Sequence, residues 1–129
     1  NKLAVGNSPF ERKNLEFLKK KGVKNILGLC SENEIGWDSD IKKIFNCKRI
    51  YIPDSNTNKL PSFEELEAAY SCLINFINSD ITFLHCYASV ERSPMLCILF
   101  IMKKFNIGIE DSLDYVLRNH KLTNPTNAQ

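Results

Sequence analysis

The ten residues from 85 to 94 read His-Cys-Tyr-Ala-Ser-Val-Glu-Arg-Ser-Pro and have the form H-C-x5-R-S. The mostly apolar stretch 81–84 predicts a buried strand before this segment, and Ser93-Pro94 predicts the start of a helix after it. In a strand–loop–helix arrangement, backbone N–H groups of the loop and of the helix N-terminus point into one pocket. The segment therefore predicts a binding site for a tetrahedral anion such as phosphate.

Two side chains of this segment supply the reactive groups. Arg92 can bind two phosphate oxygens through its planar guanidinium. The same positive surroundings favour the thiolate form of Cys86. A thiolate that faces a bound phosphate in line is a phosphatase nucleophile, so the spacing predicts hydrolysis through a phosphocysteine intermediate. The competing interpretation is a buried cysteine at a strand end and an unrelated surface arginine.

The H-C-x5-R-S pattern resembles the signature of the cysteine-dependent protein tyrosine phosphatase superfamily, and the short chain resembles its dual-specificity branch. Residues 2–6 resemble the opening strand of that family, residues 23–30 resemble its second strand, and 124–125 fall after the helix that follows the signature helix. The resemblance implies a protein tyrosine or dual-specificity phosphatase that needs neither metal nor other cofactor. Its substrate would be a phosphorylated protein, with phosphotyrosine first and phosphoserine or phosphothreonine as well if the pocket is shallow.

The resemblance also implies roles for individual residues. Asp54 lies where the branch carries its general-acid loop, although Pro-Asp-Ser-Asn is also ordinary turn chemistry. Ser93 would donate a hydrogen bond to the departing sulfur, and His85 would brace the loop by hydrogen bonds. The residues whose N–H groups would bind the phosphate, together with Arg92, are Tyr87, Ala88, Ser89, Val90 and Glu91.

Two loop positions depart from the usual family pattern. Ser89 stands where glycine is general, and serine costs about 1 kcal/mol if the backbone there needs positive φ. Glu91 stands where a small residue is common, and an acid there would reduce the positive potential of the loop unless it points outward. These departures leave a phosphate-binding pseudophosphatase as an alternative. A phosphoinositide or other non-protein phosphatase is a second alternative, and a sulfurtransferase, which would need neither the Arg-Ser ending nor Asp54, is a weaker one.

The five cysteines show no metal-binding spacing, and the chain has no C-x-x-C motif. We therefore predict no metal site. Cys30 ends a predicted strand beside that of Cys86, and the resemblance implies that the two could form a protective disulfide under oxidation. The alternative is that Cys30 is a small buried hydrophobe, as we expect of Cys47, Cys72 and Cys97. An odd number of cysteines suits a reducing cytoplasm.

Length and composition set the remaining expectations. The 129 residues, 43% hydrophobic and 25% charged, predict a single soluble catalytic domain over residues 1–129, trimmed at both ends. A net charge of +2 is too small to predict a nucleic-acid partner. The longest apolar run is too short to predict a membrane span. We expect a monomer.

Strand and helix signals alternate along the chain, which predicts an α/β fold with a mainly parallel central sheet flanked by helices. Ligands of such sheets bind at the carboxyl ends of the strands, so Cys30, Asp54 and Cys86 should share one edge. Trp37 is expected to be a packing residue rather than a platform for substrate. Strands are predicted over 23–30, 48–52 and 81–85, and helices over 9–21, 40–46, 93–105, 110–119 and from a capping box at Ser62-x-x-Glu65.

Overall fold

A computed structural model describes residues 3–9, 11–34, 36–37, 39–53, 61–87 and 92–119. In this part of the chain the strands are β1 (Leu3–Gly6), β2 (Asn25–Gly28), β3 (Asn46–Arg49) and β4 (Thr82–His85). The helices are α1 (Arg12–Lys20), α2 (Ile41–Ile44), α3 (Phe63–Ser79), α4 (Arg92–Phe105) and α5 (Ile109–Asn119). None of these helices is long and apolar enough to cross a membrane.

The four strands form one sheet in the order β1-β4-β2-β3, and every neighbouring pair is parallel. The α/β prediction is confirmed, and the described sheet is wholly rather than mainly parallel. Strand β4 lies inside the sheet, between β1 and β2. Its carboxyl end, where Cys86 follows, is therefore enclosed on both sides by backbone.

Side chains of the strands alternate between two helical layers, as the pleat requires. On one face Leu27 and Leu84 pack in a buried cluster with residues of α3, α4 and α5, including Leu73 and Leu96. On the other face Ile26 and Phe83 pack against α1 and α2, through Leu15, Leu18 and Ile41. Helices thus flank the sheet on both faces, as the sequence predicts.

Most helices and strands begin and end within a few residues of the boundaries predicted from local sequence signals. Helix α3 begins at the predicted capping box, in which Ser62 Oγ accepts from the Glu65 amide at 3.1 Å and Glu65 Oε1 accepts from the Ser62 amide at 2.8 Å. Strand β3 begins two residues before the predicted position, because it pairs with β2 from Asn46 onward. Ladder-type hydrogen bonds continue to Ile52, whose amide donates to the Leu29 carbonyl at 3.0 Å. The difference therefore concerns the boundary and leaves the pairing intact.

Candidate active site

The nucleophile candidate lies between the carboxyl end of β4 and the first turn of α4. Cys86 directly follows β4 and is buried, and its Sγ lies 3.3 Å from Ser93 Oγ, the second residue of α4. Pro94 comes next, at a position where a helix needs no backbone donor. The fold thus brings Cys86, Arg92 and Ser93 together, as their spacing predicts.

Arg92 opens helix α4 and is 2% exposed, so the competing interpretation of a surface arginine is wrong. Its Nη1 donates to Glu34 Oε2 at 3.0 Å, and its Nη2 donates to Glu34 Oε1 at 2.7 Å. Nη1 also lies 3.4 Å from the Leu29 carbonyl and 3.2 Å from the Ile52 carbonyl. These contacts come from three different segments and fix the plane of the guanidinium at the sheet edge.

Glu34, the partner of Arg92, is a residue that the sequence did not predict as part of the site. Burial alone would raise the pKa of its carboxyl, but hydrogen bonds from Arg92 and from the Ser31 amide outweigh burial and lower that pKa. Glu34 therefore stays a carboxylate and keeps the arginine paired. A signal was present in the sequence, because Glu34 lies a few residues past the strand that was predicted beside that of Cys86.

His85 is fully buried beneath the nucleophile. Its Nδ1 lies 3.0 Å from the Cys86 carbonyl, and its Nε2 accepts a hydrogen bond from Trp37 Nε1 at 2.9 Å. Burial lowers the pKa of His85 to about 4, so the imidazole is neutral near pH 7. These contacts support the bracing role expected of His85. Trp37, which the sequence predicts as a packing residue, thus also donates a hydrogen bond.

Cys30 lies on the same side of the sheet as His85. Its Sγ is 4.0 Å from His85 Nδ1 and 3.7 Å from Arg49 Nη1, and burial is the main cause that raises the pKa of its thiol. The register pairs Gly28 with His85, so alternation directs Cys30 to the His85 face and Cys86 to the opposite one. The Cys30–Cys86 disulfide stays a prediction, and these contacts weigh against it. Peptide mapping without reductant after mild peroxide would detect it.

Comparison with curated proteins gives distant relatives. The chain is 26% identical over 117 residues to dual specificity protein phosphatase 7 of Homo sapiens, covering 87% of this chain and 26% of that protein. It is 23% identical over 120 residues to an Acanthamoeba polyphaga mimivirus protein named as a tyrosine-protein phosphatase, covering 77% of this chain and 54% of that protein. The chain thus spans about half or less of the length of these relatives. No protein-family model matches it.

Solved structures share the fold over nearly the whole chain. Tk-PTP in its active form superposes with a TM-score of 0.84 at 18% identity, covering 99% of this chain and 86% of that one. Together with the curated relatives, which are named as tyrosine and dual specificity phosphatases, this shared fold confirms the resemblance to the cysteine-dependent protein tyrosine phosphatase superfamily. The human tyrosine phosphatase-like serine/threonine/tyrosine-interacting protein gives a TM-score of 0.83 at 20% identity, covering 98% of this chain and 85% of that one. PTPMT1 in complex with PI(5)P gives a TM-score of 0.81 at 13% identity, covering 98% of this chain and 83% of that one.

Several of the predicted site residues lie outside the described part of the chain. These are the general-acid candidate Asp54 and the loop residues Ala88, Ser89, Val90 and Glu91. Their roles stay predictions. Tyr87, the described loop residue, is exposed, and its carbonyl accepts from the Ser8 amide at 3.3 Å, which ties the loop to the segment after β1.

The described chain ends at the residue before Asp54 and resumes at residue 61. Ile52 and Pro53 are buried, and the Ile52 carbonyl is a partner of Arg92. Another carboxylate of the same part of the chain, Asp40, has a structural partner. Asp40 pairs with Arg12, whose hydrogen bond is the main cause that lowers the pKa of that carboxyl. Among the residues that the structure describes, no group of three or more metal-binding side chains is placed to hold a metal ion.

Proposed function

We propose that the chain is a metal-independent phosphomonoester hydrolase that forms a phosphocysteine on Cys86. One observation carries the proposal: the 3.3 Å contact between Cys86 Sγ and Ser93 Oγ lies at the start of α4, whose first residue is the buried Arg92. A nucleophile, a donor for the leaving sulfur and a phosphate-binding cation are thus combined at one helix N-terminus.

The first chemical step transfers the phosphoryl group to sulfur. The Cys86 thiolate attacks phosphorus, the S–P bond forms, and the bond from phosphorus to the ester oxygen breaks. The departing oxygen takes a proton from Asp54, the proposed general acid. Arg92 and the loop N–H groups hold the charge on the equatorial oxygens.

The second step returns the enzyme to its starting form. Water attacks the phosphocysteine and loses a proton to the Asp54 carboxylate, while the S–P bond breaks and inorganic phosphate leaves. The departing thiolate accepts a hydrogen bond from Ser93 Oγ, which the observed contact makes possible. Neither step calls for a metal ion or an organic cofactor.

We propose a phosphorylated protein as substrate, with phosphotyrosine as the principal residue. The names of the relatives, which are tyrosine and dual specificity phosphatases, support this class. A phosphoinositide is the second candidate, because PTPMT1 was crystallised with PI(5)P on the same fold. A phosphate-binding module without turnover is the third, and the retention of both Cys86 and Ser93 counts against it.

We also propose a monomer located in the cytoplasm. All five cysteines are free thiols, including two that are buried near the site. Such thiols are maintained in reducing compartments.

Turnover of para-nitrophenyl phosphate in the presence of EDTA tests the proposed activity. Cys86→Ser should abolish turnover yet still bind vanadate, because the hydroxyl is a poor nucleophile while the anion site remains. Cys72→Ser, at a partly buried cysteine of α3, is the matched control and should keep full turnover. More than a tenth of native turnover in Cys86→Ser would refute the assignment of the nucleophile. Phosphopeptides and phosphoinositide vesicles then separate the first two substrate classes.

A further inference from the structure

Gly28 leaves a space without a side chain on one face of the sheet, next to His85, the residue before Cys86. Gly28 pairs with Arg49 of β3 and with His85 of β4, so the three residues share one face. Trp37 fills the space that glycine leaves. A Cβ atom on Gly28 would lie 2.9 Å from Trp37 Cζ2 and 2.9 Å from His85 Nε2, which is too close for either ring to stay in place.

The indole of Trp37 is held in a defined orientation over this space. The Arg49 guanidinium carbon lies 4.0 Å from its ring centroid, a cation–π distance. Arg49 is itself held, because its Nη1 donates to the Cys30 carbonyl at 2.9 Å. The Trp37 and His85 rings meet edge to face, at 68° and 5.7 Å between centroids. This geometry directs the indole N–H at His85 Nε2.

The chemistry of the two rings then fixes where the imidazole proton lies. An indole nitrogen can only donate, so His85 Nε2 must be the acceptor in their 2.9 Å contact. The hydrogen of the neutral imidazole is therefore on Nδ1, where it donates to the Cys86 carbonyl at 3.0 Å. That carbonyl belongs to the peptide group whose N–H is the first amide of the nucleophile loop, that of Tyr87. Its orientation sets the direction of that amide.

We propose that Trp37 is a positioning residue for the phosphatase reaction: it holds His85 in the Nδ1-protonated form and thereby orients the Cys86–Tyr87 peptide group. The inference rests on the proposed function, and Trp37 would act on the reaction through its contact with His85. It also explains the glycine at position 28, since a side chain there would separate the two rings.

The chain allows a test at the level of one atom, because Trp37 is its single tryptophan. Benzothienylalanine in place of Trp37 keeps the size of the ring and removes its N–H. The matched control is 5-fluorotryptophan, which keeps the N–H. His120→Gln serves as the background, so that His85 is the single histidine and its side-chain ¹⁵N resonances report the tautomer directly. Turnover of para-nitrophenyl phosphate and alkylation of Cys86 by iodoacetamide are measured on the same samples.

The native and fluorinated proteins should show the Nδ1-protonated form and equal rates. The benzothienyl protein should show a mixture of tautomers or an imidazolium, with kcat and the alkylation rate each lower by about tenfold, the effect of losing one buried hydrogen bond. An unchanged tautomer would overturn the inference, whatever the rates. A changed tautomer with unchanged rates would overturn it as well. If the native protein has no turnover, the proposed function fails, and the tautomer with the alkylation rate still decides the role of Trp37.

Discussion

The carboxylate of Glu34 contacts both terminal nitrogens of Arg92, at 3.0 and 2.7 Å. The pair joins the segment after β2 to the first residue of α4, and the Glu34 side chain is 27% exposed while that of Arg92 is 2% exposed. The geometry of the proposed phosphate site thus depends on a residue outside the signature.

Glu34→Gln should weaken both stability and catalysis. The amide keeps one acceptor oxygen but loses the charge and the two-point contact with the arginine. We expect the free energy of unfolding in urea to fall by about 2 kcal/mol, below the usual cost of breaking a fully buried pair because Glu34 is partly exposed. We expect kcat/KM to fall about tenfold. Glu32→Gln, at an exposed carboxylate in the same turn, should change neither quantity.

Arg92→Lys should strongly reduce kcat/KM although it keeps the positive charge. A lysine ammonium cannot contact both Glu34 oxygens and two carbonyls in one plane, nor bind two phosphate oxygens together. We expect kcat/KM for para-nitrophenyl phosphate to drop by about 100-fold or more, in a protein whose circular dichroism spectrum confirms folding. A loss of only a few-fold would mean that loop amides alone bind the phosphate.

Asp54→Asn should lower kcat by roughly 100-fold for phenyl phosphate, a substrate with a poor leaving group. The loss should be much smaller for para-nitrophenyl phosphate, whose leaving group needs little protonation. The basic limb of the pH–rate profile should flatten as well. Asp114→Asn, at an exposed helix position, is the control. Equal losses for both substrates would shift attention to other carboxylates in residues 32–67, of which Glu34 and Asp40 already have partners.

His85 should make the protein less stable as the pH falls. Its pKa is about 4 in the folded protein, against an ordinary value of 6.5. Between these values the unfolded chain binds a proton that the folded protein does not, so stability declines as the pH falls from 6.5 to 4 and this contribution is constant below 4. The difference corresponds to roughly 3 kcal/mol.

Urea unfolding in steps between pH 7 and pH 5 would measure this decline, because carboxyl groups titrate mainly below that range. His120→Gln should leave the slope unchanged and so assign it to His85. A flat profile over that range would show that the imidazole is already protonated in the folded protein or readily hydrated.

The fold and the contact between Cys86 and Ser93 could be predicted from the sequence because their signals are local. Alternating strands and helices, the capping box at Ser62 and the spacing of Cys86, Arg92 and Ser93 each lie within a short segment. Glu34, Trp37 and Arg49 were not predicted as site residues. Their roles depend on register across β2, β3 and β4, which pairs Gly28 with both Arg49 and His85, and no periodicity within one segment encodes that.

The hydrogen bonds of Arg92 have an evolutionary consequence. The Arg92 side chain joins the ends of β2 and β3 and the segment of Glu34 to helix α4. Its loss would therefore destabilise the fold as well as the proposed phosphate site. Cys86 carries no comparable set of contacts in the described structure, and a serine would fit in its place. A descendant of this protein could therefore lose the proposed catalysis by changing the cysteine alone and remain a folded protein that binds phosphate. Arg92 would be among the last residues of the signature to disappear.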